Sequence, residues 1–466
     1  MPKDMRTWIN QLEEAGELLH LKRPVSPLTE MGALMYECRD KALLFERLTG
    51  FPGWRGIGQA PATPRQAAIA FDTTLDQVVP TFAGKLNQRV APEMVATGPV
   101  KEVILKGEDV DVRKLPAHKA GVKDAAPFIT AGMCITKDPD TGIRNMSIHR
   151  LQIKERNRTG FLGIVGRHTY LNYRKYELKN EPMPIAVCIG HHPLYYFAAT
   201  TTGPYEMDEI ELAGALLGEP VPLVKCETID LEVPAYAEII LEGHVLPHYR
   251  ESEGPFSEFQ DYYIAGTGQN PVLEFTAMTM RKDAIYKNLQ NGAEVEGCVY
   301  HKLPMAATIY NRLKNIGGMA LVKNVMTLPG IFGVVVQMTP RFYGEAKTVL
   351  LSVLSSEYLH PKIAIAVDED VDIFNNTDII WAVNTRVNPE EDIMVIPGMR
   401  IIPMDPTGKE YGVSSTPEWH RIGGKMIIDA TKPPTCNAQG REQFERIRPI
   451  GKGEVFLKDY LEWNDA

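Results

Sequence analysis

Phe128-Ile-Thr-Ala-Gly-Met-Cys-Ile-Thr136 and Asn145-Met-Ser-Ile-His-Arg150-Leu-Gln-Ile153 are two extended runs on either side of Asp138-Pro-Asp-Thr-Gly142. Asp, Pro and Gly between apolar alternating runs are turn chemistry, so the stretch predicts an antiparallel ribbon closed by a hairpin loop. Thr130 then lies on one strand and Arg150 on the other. Asn145 and Arg150 are five residues apart, which in a regular strand sends them to opposite faces. Either a bulge intervenes or Asn145 acts from the strand's end.

Similar short runs at residues 103–105, 161–165, 185–189, 231–245 and 272–280 make residues 99–300 a β-rich barrel or sandwich with few helices. One helix is expected inside it, over 206–217, with Glu209, Leu212, Ala213 and Leu216 on one face. A carboxylate on an apolar face needs a metal, a cation or a raised pKa, because burying it unpaired costs several kcal/mol.

Toward the N-terminus, Met5, Trp8, Ile9 and Leu12 recur at helical spacing, predicting an amphipathic helix that ends near Gly16. An extended segment over 18–25 and helical patterns over 33–48 and 63–89 follow, with Thr63-Pro64 as N-cap and first-turn pair. Residues 1–98 thus read as a mixed α/β unit. Toward the C-terminus, a helix over 305–315 lies in a linker, 301–320. Residues 321–466 then alternate strand (331–338, 363–367) with helix (343–354, 376–387), a βαβ texture with a parallel sheet. The fold class is therefore α/β in a multidomain chain. The polar tail beyond Pro433 is expected to wrap a neighbouring subunit.

A length of 466 residues suits two or three domains. The net charge of -9 supplies no basic field, which excludes nucleic acid as a partner. Cys38, Cys134, Cys188, Cys226, Cys298 and Cys436 are scattered, without metal spacing, and read mostly as buried hydrophobes. No apolar signal core opens the chain and no run approaches 18 apolar residues, so no membrane partner is expected and a reducing cytoplasm is the simplest home.

Chemistry concentrates in Glu253-Gly-Pro-Phe-Ser-Glu258, two carboxylates around a Gly-Pro pair that fixes the backbone between them. They are either surface glutamates in a turn or a rigid pair sharing a proton-transfer task. Arg150, in an apolar strand, must meet an anion: Glu253, Glu258 or a substrate carboxylate. His168, Glu209 and the Asn145 amide form an oxygen-rich mixture suited to manganese or magnesium rather than structural zinc. Three features are set aside. His191-His192 has no partner spacing, Asp368-Glu-Asp-Val-Asp372 reads as a solvated loop, and Gly423-Gly-Lys425 is no phosphate-binding loop although Lys425 can neutralise one phosphate. Glu251 has no role and reads as a surface residue.

Taken together, Asn-x-Ser-Ile-x-Arg at 145–150, Glu-Gly-Pro-Phe-x-Glu at 253–258, His168, and Glu209 ahead of Gly214-Ala-Leu-Leu-Gly218-Glu-Pro-Val-Pro resemble the UbiD family of prenylated-flavin-dependent decarboxylases. The resemblance spans nearly the whole chain. It implies a reversible, non-oxidative decarboxylase, with a split-barrel middle domain binding prenylated FMN and a C-terminal domain that closes a cleft and mediates oligomerisation. Arg150 paired with Glu253 would orient the carboxylate, and Glu258 would donate the proton. Implied manganese (or magnesium) ligands are Asn145, His168 and Glu209. Implied cofactor contacts come from Ser147, Ile148, His149, Arg150, Arg167 and His168, with Lys425 at the phosphate and potassium near Met146 and residues 198–201. Thr130 and Ile148 would line the substrate pocket. A flavin prenyltransferase would supply the cofactor to a homodimer or a larger assembly, up to a hexamer. Met146, Arg167 and Ser257 stand where many members carry Trp, Gln and Gly. Residues 341–347 and 395–406 look most like hydroxybenzoate and vanillate decarboxylases, so the expected substrate is an aromatic acid. Heteroaromatic acids, a place in a multi-protein carboxylase, and a metal-dependent hydrolase built on Glu209 and His168 are the alternatives.

Overall fold

The Asp138–Gly142 loop does close a hairpin, and the hairpin is bent. Gly132–Lys137 pairs antiparallel with Arg144–Ile148, Asn145 lying opposite Thr136. Both strands break, at Thr130-Ala131 and at His149-Arg150, and the ribbon resumes as Phe128–Ile129 against Leu151–Glu155. The first half pairs onward with Met183–Ile189 and the second with Arg158–Phe161. The nine-stranded middle sheet therefore begins and ends on two halves of one hairpin. Its hydrogen-bonded path stays open, so the expected barrel is a folded-over sheet that does not close. The computed structural model describes residues 3–264, 266–314, 316, 321–412 and 419–461.

The spine of this sheet is Ile239–Glu253 against Gly268–Met280, whose register shifts at Glu242-Gly243 and between Val245 and Arg250. The first shift has a steric cause: a Cβ at Gly243 would stand 2.1 Å from the Glu274 carbonyl oxygen. The strand expected at 161–165 lies earlier, at Arg158–Phe161, because its partner residues Val272, Leu273 and Glu274 set the register. The helix expected over 206–217 forms over Glu209–Leu217, starting three residues later because Asp208 is its N-cap, with Glu209, Leu212, Ala213 and Leu216 all buried.

In the N-terminal region the helix Met5–Glu14 is closed by an Asp4–Thr7 capping box and buries Met5, Trp8 and Leu12. Thr63 caps Pro64–Ala70 as its sequence predicts. Residues 33–48 are not one helix: Met31–Glu37 is helical, but Ala42–Phe45 is a fully buried strand parallel to Leu18–Leu21. A short continuous apolar run carries no periodicity to separate the two readings. This sheet recruits Ile285–Lys287 from much later in the chain.

The linking helix runs over Glu296–Lys314, starting well before residue 305, with Pro304 inside it; residues 317–320 lie outside the described residues. It ties the regions together: Tyr300 packs 5.1 Å from Phe197, whose ring lies 5.6 Å from Phe71 and 6.0 Å from Phe82. Beyond it, Gly333–Thr339, Ile363–Val367 and His420–Ala430 form the expected parallel core. Leu321–Thr327 and Ile393–Ile401 add antiparallel edges that sequence reasoning missed. The loop at 368–372 is only partly solvated: Glu369 and Asp372 are exposed, but Asp368 and Asp370 are not free acids. Asp368 is wholly buried, paired with Arg441, and Asp370 bonds Arg386 and Lys432, each at 2.8 Å. The tail packs on its own domain through Arg446–Asp378, yet Ile447, Ile450, Phe456 and Leu457 stand exposed.

The Gly243→Ala substitution is expected to destabilise the fold by about 1–3 kcal/mol, because two strand backbones must separate to admit the methyl group. Denaturant unfolding checks this; an unchanged midpoint would show that the bulge is not sterically imposed.

Candidate active site

Arg150 sits at the corner of the bent ribbon, where the strand stops pairing. Its Nε donates to Glu253 Oε1 at 3.1 Å and Nη2 to Glu253 Oε2 at 2.9 Å, a bidentate pair, while Nη1 contacts Glu258 Oε1. The guanidinium also lies 4.9 Å over the Phe256 ring, which packs 4.6 Å from Phe128. The same corner answers the spacing problem: Asn145 acts from the paired half of the strand and Arg150 from the break.

Glu253 and Glu258 are 1 % and 5 % exposed, which rules out the surface-turn reading. Gly254 has φ +93°, and a Cβ there would meet the Gly266 carbonyl oxygen at 2.4 Å, so the turn between the carboxylates requires glycine. Gln152 Oε1 accepts from the Gly254 amide at 2.8 Å, and Asn270 Nδ2 donates to Glu253 Oε2 at 2.8 Å. Buried Asp124 accepts from the Ser257 amide at 2.7 Å and from the Ser257 hydroxyl at 3.3 Å. Burial pushes the Glu258 carboxyl up to about 7; Arg150 pulls the other way, and Glu253 and Asp124 add to the rise. Burial and two carboxylate neighbours win because the bidentate pair spends most of the guanidinium on Glu253. Glu251 pairs with Lys154 at 2.9 Å, at the edge of this cluster.

At the other end of the strand, Asn145 Nδ2 lies 3.1 Å from both Glu209 oxygens, the Met146 amide donates to Glu209 Oε2 at 2.8 Å, and His168 Nδ1 is 3.8 Å from Glu209 Oε1. Two of the expected ligands, Asn145 and His168, thus converge on the third, the buried Glu209 carboxylate, whose pKa burial raises, His168 and the Met146 amide opposing. Thr169 donates to Asn145 Oδ1 at 2.6 Å and bonds Ser147 and His149. His149 faces this network and the Leu162 carbonyl; burial pushes its pKa down to about 4, so it is neutral. Thr130 accepts from the Leu289 amide at 2.9 Å, a scaffold bond, and Ile148 is half-buried.

Arg167 and Lys425 are cations without a carboxylate partner among the described residues. Arg167 donates to Thr202 Oγ1 at 3.0 Å, and Lys425 to the Leu354 carbonyl at 2.9 Å; burial lowers the pKa of each. Phe259, beside Glu258, stacks 4.9 Å from His301 and lies 6.0 Å from His360. Ser147, Ile148, Arg150, Arg167, His168, Thr202, Phe259 and His301 are each half-buried, and Thr202 and Phe259 touch Tyr358 and His360 of the C-terminal region. Two surface clefts of about 900 and 660 Å³ hold none of these residues. His192 caps Pro193–Thr200, and His191 lies against Tyr195. Sequence reasoning missed Asp124, Asn270, Phe259, His301 and His360, whose roles depend on long-range contacts that no spacing announces.

A buried Arg between two carboxylates, one with its pKa raised to about 7, beside an Asn/His/Glu cluster, is an arrangement suited to acid chemistry on a carboxylate. Models of the 3-octaprenyl-4-hydroxybenzoate carboxy-lyase N-terminal domain, Rift-related domain and C-terminal domain match residues 9–86, 93–294 and 298–430. The chain belongs to the UbiD family of carboxy-lyases. It is 31 % identical to a phenolic acid decarboxylase of Sedimentibacter hydroxybenzoicus over 98 % of both chains. It is 35 % identical to an anhydromevalonate phosphate decarboxylase of Methanothermobacter thermautotrophicus over 72 % of this chain and 76 % of that one. The solved structure of the UbiD-class enzyme HmfF from Pelotomaculum thermopropionicum in complex with FMN superposes with a TM-score of 0.88, at 33 % identity, over 98 % of this chain and all of that one. An evolved dimeric form of HmfF, in complex with prenylated FMN, superposes at 0.86 and 32 % identity over the same shares.

Glu258 is expected to carry its proton at pH 6 and to lose it as pH rises through about 7. Infrared difference spectra of wild type minus Glu258→Gln check this. A protonated-carboxyl band present at pH 6 and absent at pH 8 is the expected outcome; no such band at pH 6 would refute the assignment.

Proposed function

We propose that this chain removes carbon dioxide, reversibly and without net oxidation, from an aromatic carboxylic acid using prenylated FMN. The carrying observation is the buried Arg150–Glu253–Glu258 arrangement, supported by the phenolic acid decarboxylase and the flavin-bound enzymes to which the chain is similar.

The residues fit the cofactor. Lys425 and the N-terminus of helix His168–Leu178 each suit a phosphate, and Glu209, with only a histidine for a cation, suits a divalent ion. Asn145, His168 and Glu209 would hold manganese or magnesium. Ser147, Ile148, His149, Arg150 and Arg167 would flank the flavin, and potassium would sit where the end of Pro193–Thr200 packs on the Arg144–Ile148 strand. Prenylated FMN supplies an electrophilic ring that takes up electron density from the substrate.

The protein's own part is acid–base and positional. Arg150, fixed by Glu253 and Asn270, holds the substrate carboxylate at the corner of the ribbon. Glu258, protonated because it is desolvated beside two other carboxylates, delivers the proton that replaces the departing carboxyl group. Run backwards, the same groups serve carboxylation at high bicarbonate. Thr130 contributes to the pocket through the backbone it anchors, and Ile148 through its half-buried side chain. We place the working units at residues 1–98, 99–300 and 321–466, with 301–320 as linker. The assembly would be a homodimer or larger, seated partly on the exposed apolar tail residues, in the cytoplasm, and loaded by a flavin prenyltransferase.

The relative named for anhydromevalonate phosphate has a phosphate in its substrate besides the acid, which favours, as a second reading, a substrate with an additional acidic group.

Two outcomes test this reading. Glu258→Gln, co-expressed with a flavin prenyltransferase, is expected to keep its flavin absorbance and lose turnover by about 100-fold or more, the scale of a lost general acid; near-normal carbon dioxide release would remove the donor role. Glu209→Gln is expected to purify with less than a tenth of the wild-type divalent metal by elemental analysis and with reduced flavin; full metal content in that variant would dismiss the Asn145/His168/Glu209 site.

A further inference from the structure

Among the expected metal ligands, His168 is the least tied down. It opens helix His168–Leu178, its side chain is 20 % exposed, and its Nδ1 lies 3.8 Å from Glu209 Oε1, too far for a hydrogen bond to set the plane of the ring. What meets the imidazole is an aromatic contact: the Tyr205 ring stands edge-on to it, with centroids 5.3 Å apart and planes at 86°. Tyr205 is itself held at its far end. Its hydroxyl donates to Asn172 Oδ1 at 2.7 Å, one turn along the helix that His168 opens. Buried Asn172 in turn donates through Nδ2 to Thr136 Oγ1 at 3.1 Å, and Thr136 lies opposite Asn145 in the hairpin. Lys175, bonded to both Asp138 oxygens at 2.8 Å, lies 5.2 Å over the Tyr205 ring.

Tyr205 belongs to the short connection between the helices Pro193–Thr200 and Glu209–Leu217. This connection is gripped at both ends as well. At its start the Thr202 amide donates to Tyr358 Oη at 3.1 Å, and Tyr358 is a buried residue of the C-terminal region. At its end Asp208 pairs at 2.7 Å with Arg144, the residue before Asn145, and caps the helix whose first residue is Glu209. Residues 202–209 thus run from the C-terminal region, past His168, to the buried carboxylate.

We propose that residues 202–209 form a strap through which the C-terminal region holds Tyr205 against His168. Tyr205 is then a positioning residue for the metal ligand, and Tyr358 is its anchor. This rests on the reading of Asn145, His168 and Glu209 as the divalent-ion site of a decarboxylase, and adds that retention of the ion depends on the seating of the C-terminal region. A ligand whose ring is already oriented gives its full contribution to the ion, whereas one free to rotate must be ordered at the moment of binding. Releasing the Tyr358 contact loosens Tyr205 first and His168 through it.

The test uses full-length protein loaded with FMN, titrated with manganese and followed by the electron paramagnetic resonance of the free and bound ion, with the denaturant midpoint measured beside it. Tyr205→Leu is expected to weaken manganese binding by about 10–100-fold, the scale of a lost ligand-orienting partner, and to broaden the bound-ion signal while the unfolding midpoint stays near that of the wild type. Tyr205→Phe keeps the ring and drops only the Asn172 bond, so it is expected to recover most of the affinity. Tyr358→Phe is expected to speed manganese release to a chelator several-fold. Wild-type affinity in Tyr205→Leu overturns the positioning role, as does a loss that Tyr205→Phe reproduces in full. An unchanged release rate in Tyr358→Phe overturns the strap, and this variant decides the matter where Tyr205→Leu does not fold. None of these readouts needs turnover. If no acid releases carbon dioxide but manganese retention follows Tyr205 and Tyr358, the strap stands and the decarboxylase reading falls; if the wild type binds no manganese, the strap falls together with the metal site.

Discussion

Burying the Arg150 guanidinium constrains much of the middle region. A charge taken from water must find its counter-charge inside, and truncating one partner of such a group leaves the other stranded at a cost of about 3–5 kcal/mol. The partners, Glu253 and Glu258, come from a loop more than a hundred residues downstream, 103 and 108 positions away. That loop is in turn held by Gln152, Asp124 and Asn270, each from a different element. One guanidinium faces three acidic side chains, counting Asp124. They cannot all be ionised at low cost, and the conflict is resolved by protonating Glu258, which is buried but takes only one contact from the guanidinium where Glu253 takes two. The demand for a buried ion pair and the supply of a proton near neutral pH are thus one electrostatic problem.

The bend in the ribbon makes a second use of the same strand. In a straight hairpin Asn145 and Arg150 would merely face opposite sides. Breaking the ladder at His149-Arg150 lets the paired half carry Asn145 to Glu209 and His168, while the unpaired corner aims Arg150 at the 253–258 loop. Six residues of one chain segment therefore touch both the proposed metal end and the acid end of the cleft. The distance between those ends is set by backbone geometry rather than by flexible side chains, which suits a site that must hold a long cofactor against a small acid.

What could be read from the sequence follows from what is local. The hairpin loop, the Asp4 and Thr63 caps and the buried face of Glu209–Leu217 depend on residues a few positions apart, and the structure has them. Ala42–Phe45 was misread because four apolar residues in a row look alike in helix and strand, and the start of the linking helix was hidden by Pro304. In the 368–372 loop Glu369 and Asp372 are solvated as acids are by default, but Asp368 and Asp370 are not, because their partners Arg441, Arg386 and Lys432 lie far along the chain. That Arg150 meets Glu253 and Glu258, and that Asn145 and His168 meet Glu209, was legible through the chemistry their types demand together with the family resemblance. Asp124, Phe259, His301 and His360 were missed for the opposite reason, being ordinary residues until the fold brings them together.

The position of Phe259 joins the chemistry to the arrangement of the domains. Burial is the largest cause of the raised Glu258 pKa, and the residues that follow Glu258 are packed against the C-terminal region: Phe259 against His360, and Gln260 through its amide to the Met404 carbonyl at 2.8 Å. Phe259 also joins the small cluster of Ile402, Met404 and Trp419. Withdrawing the C-terminal region would strip this cover and admit water beside Glu258. The desolvation that keeps it protonated would shrink, and Arg150, which favours the carboxylate, would then dominate. Protonation of Glu258 therefore depends on the cover that the C-terminal region gives it and is not a fixed property of the 253–258 loop.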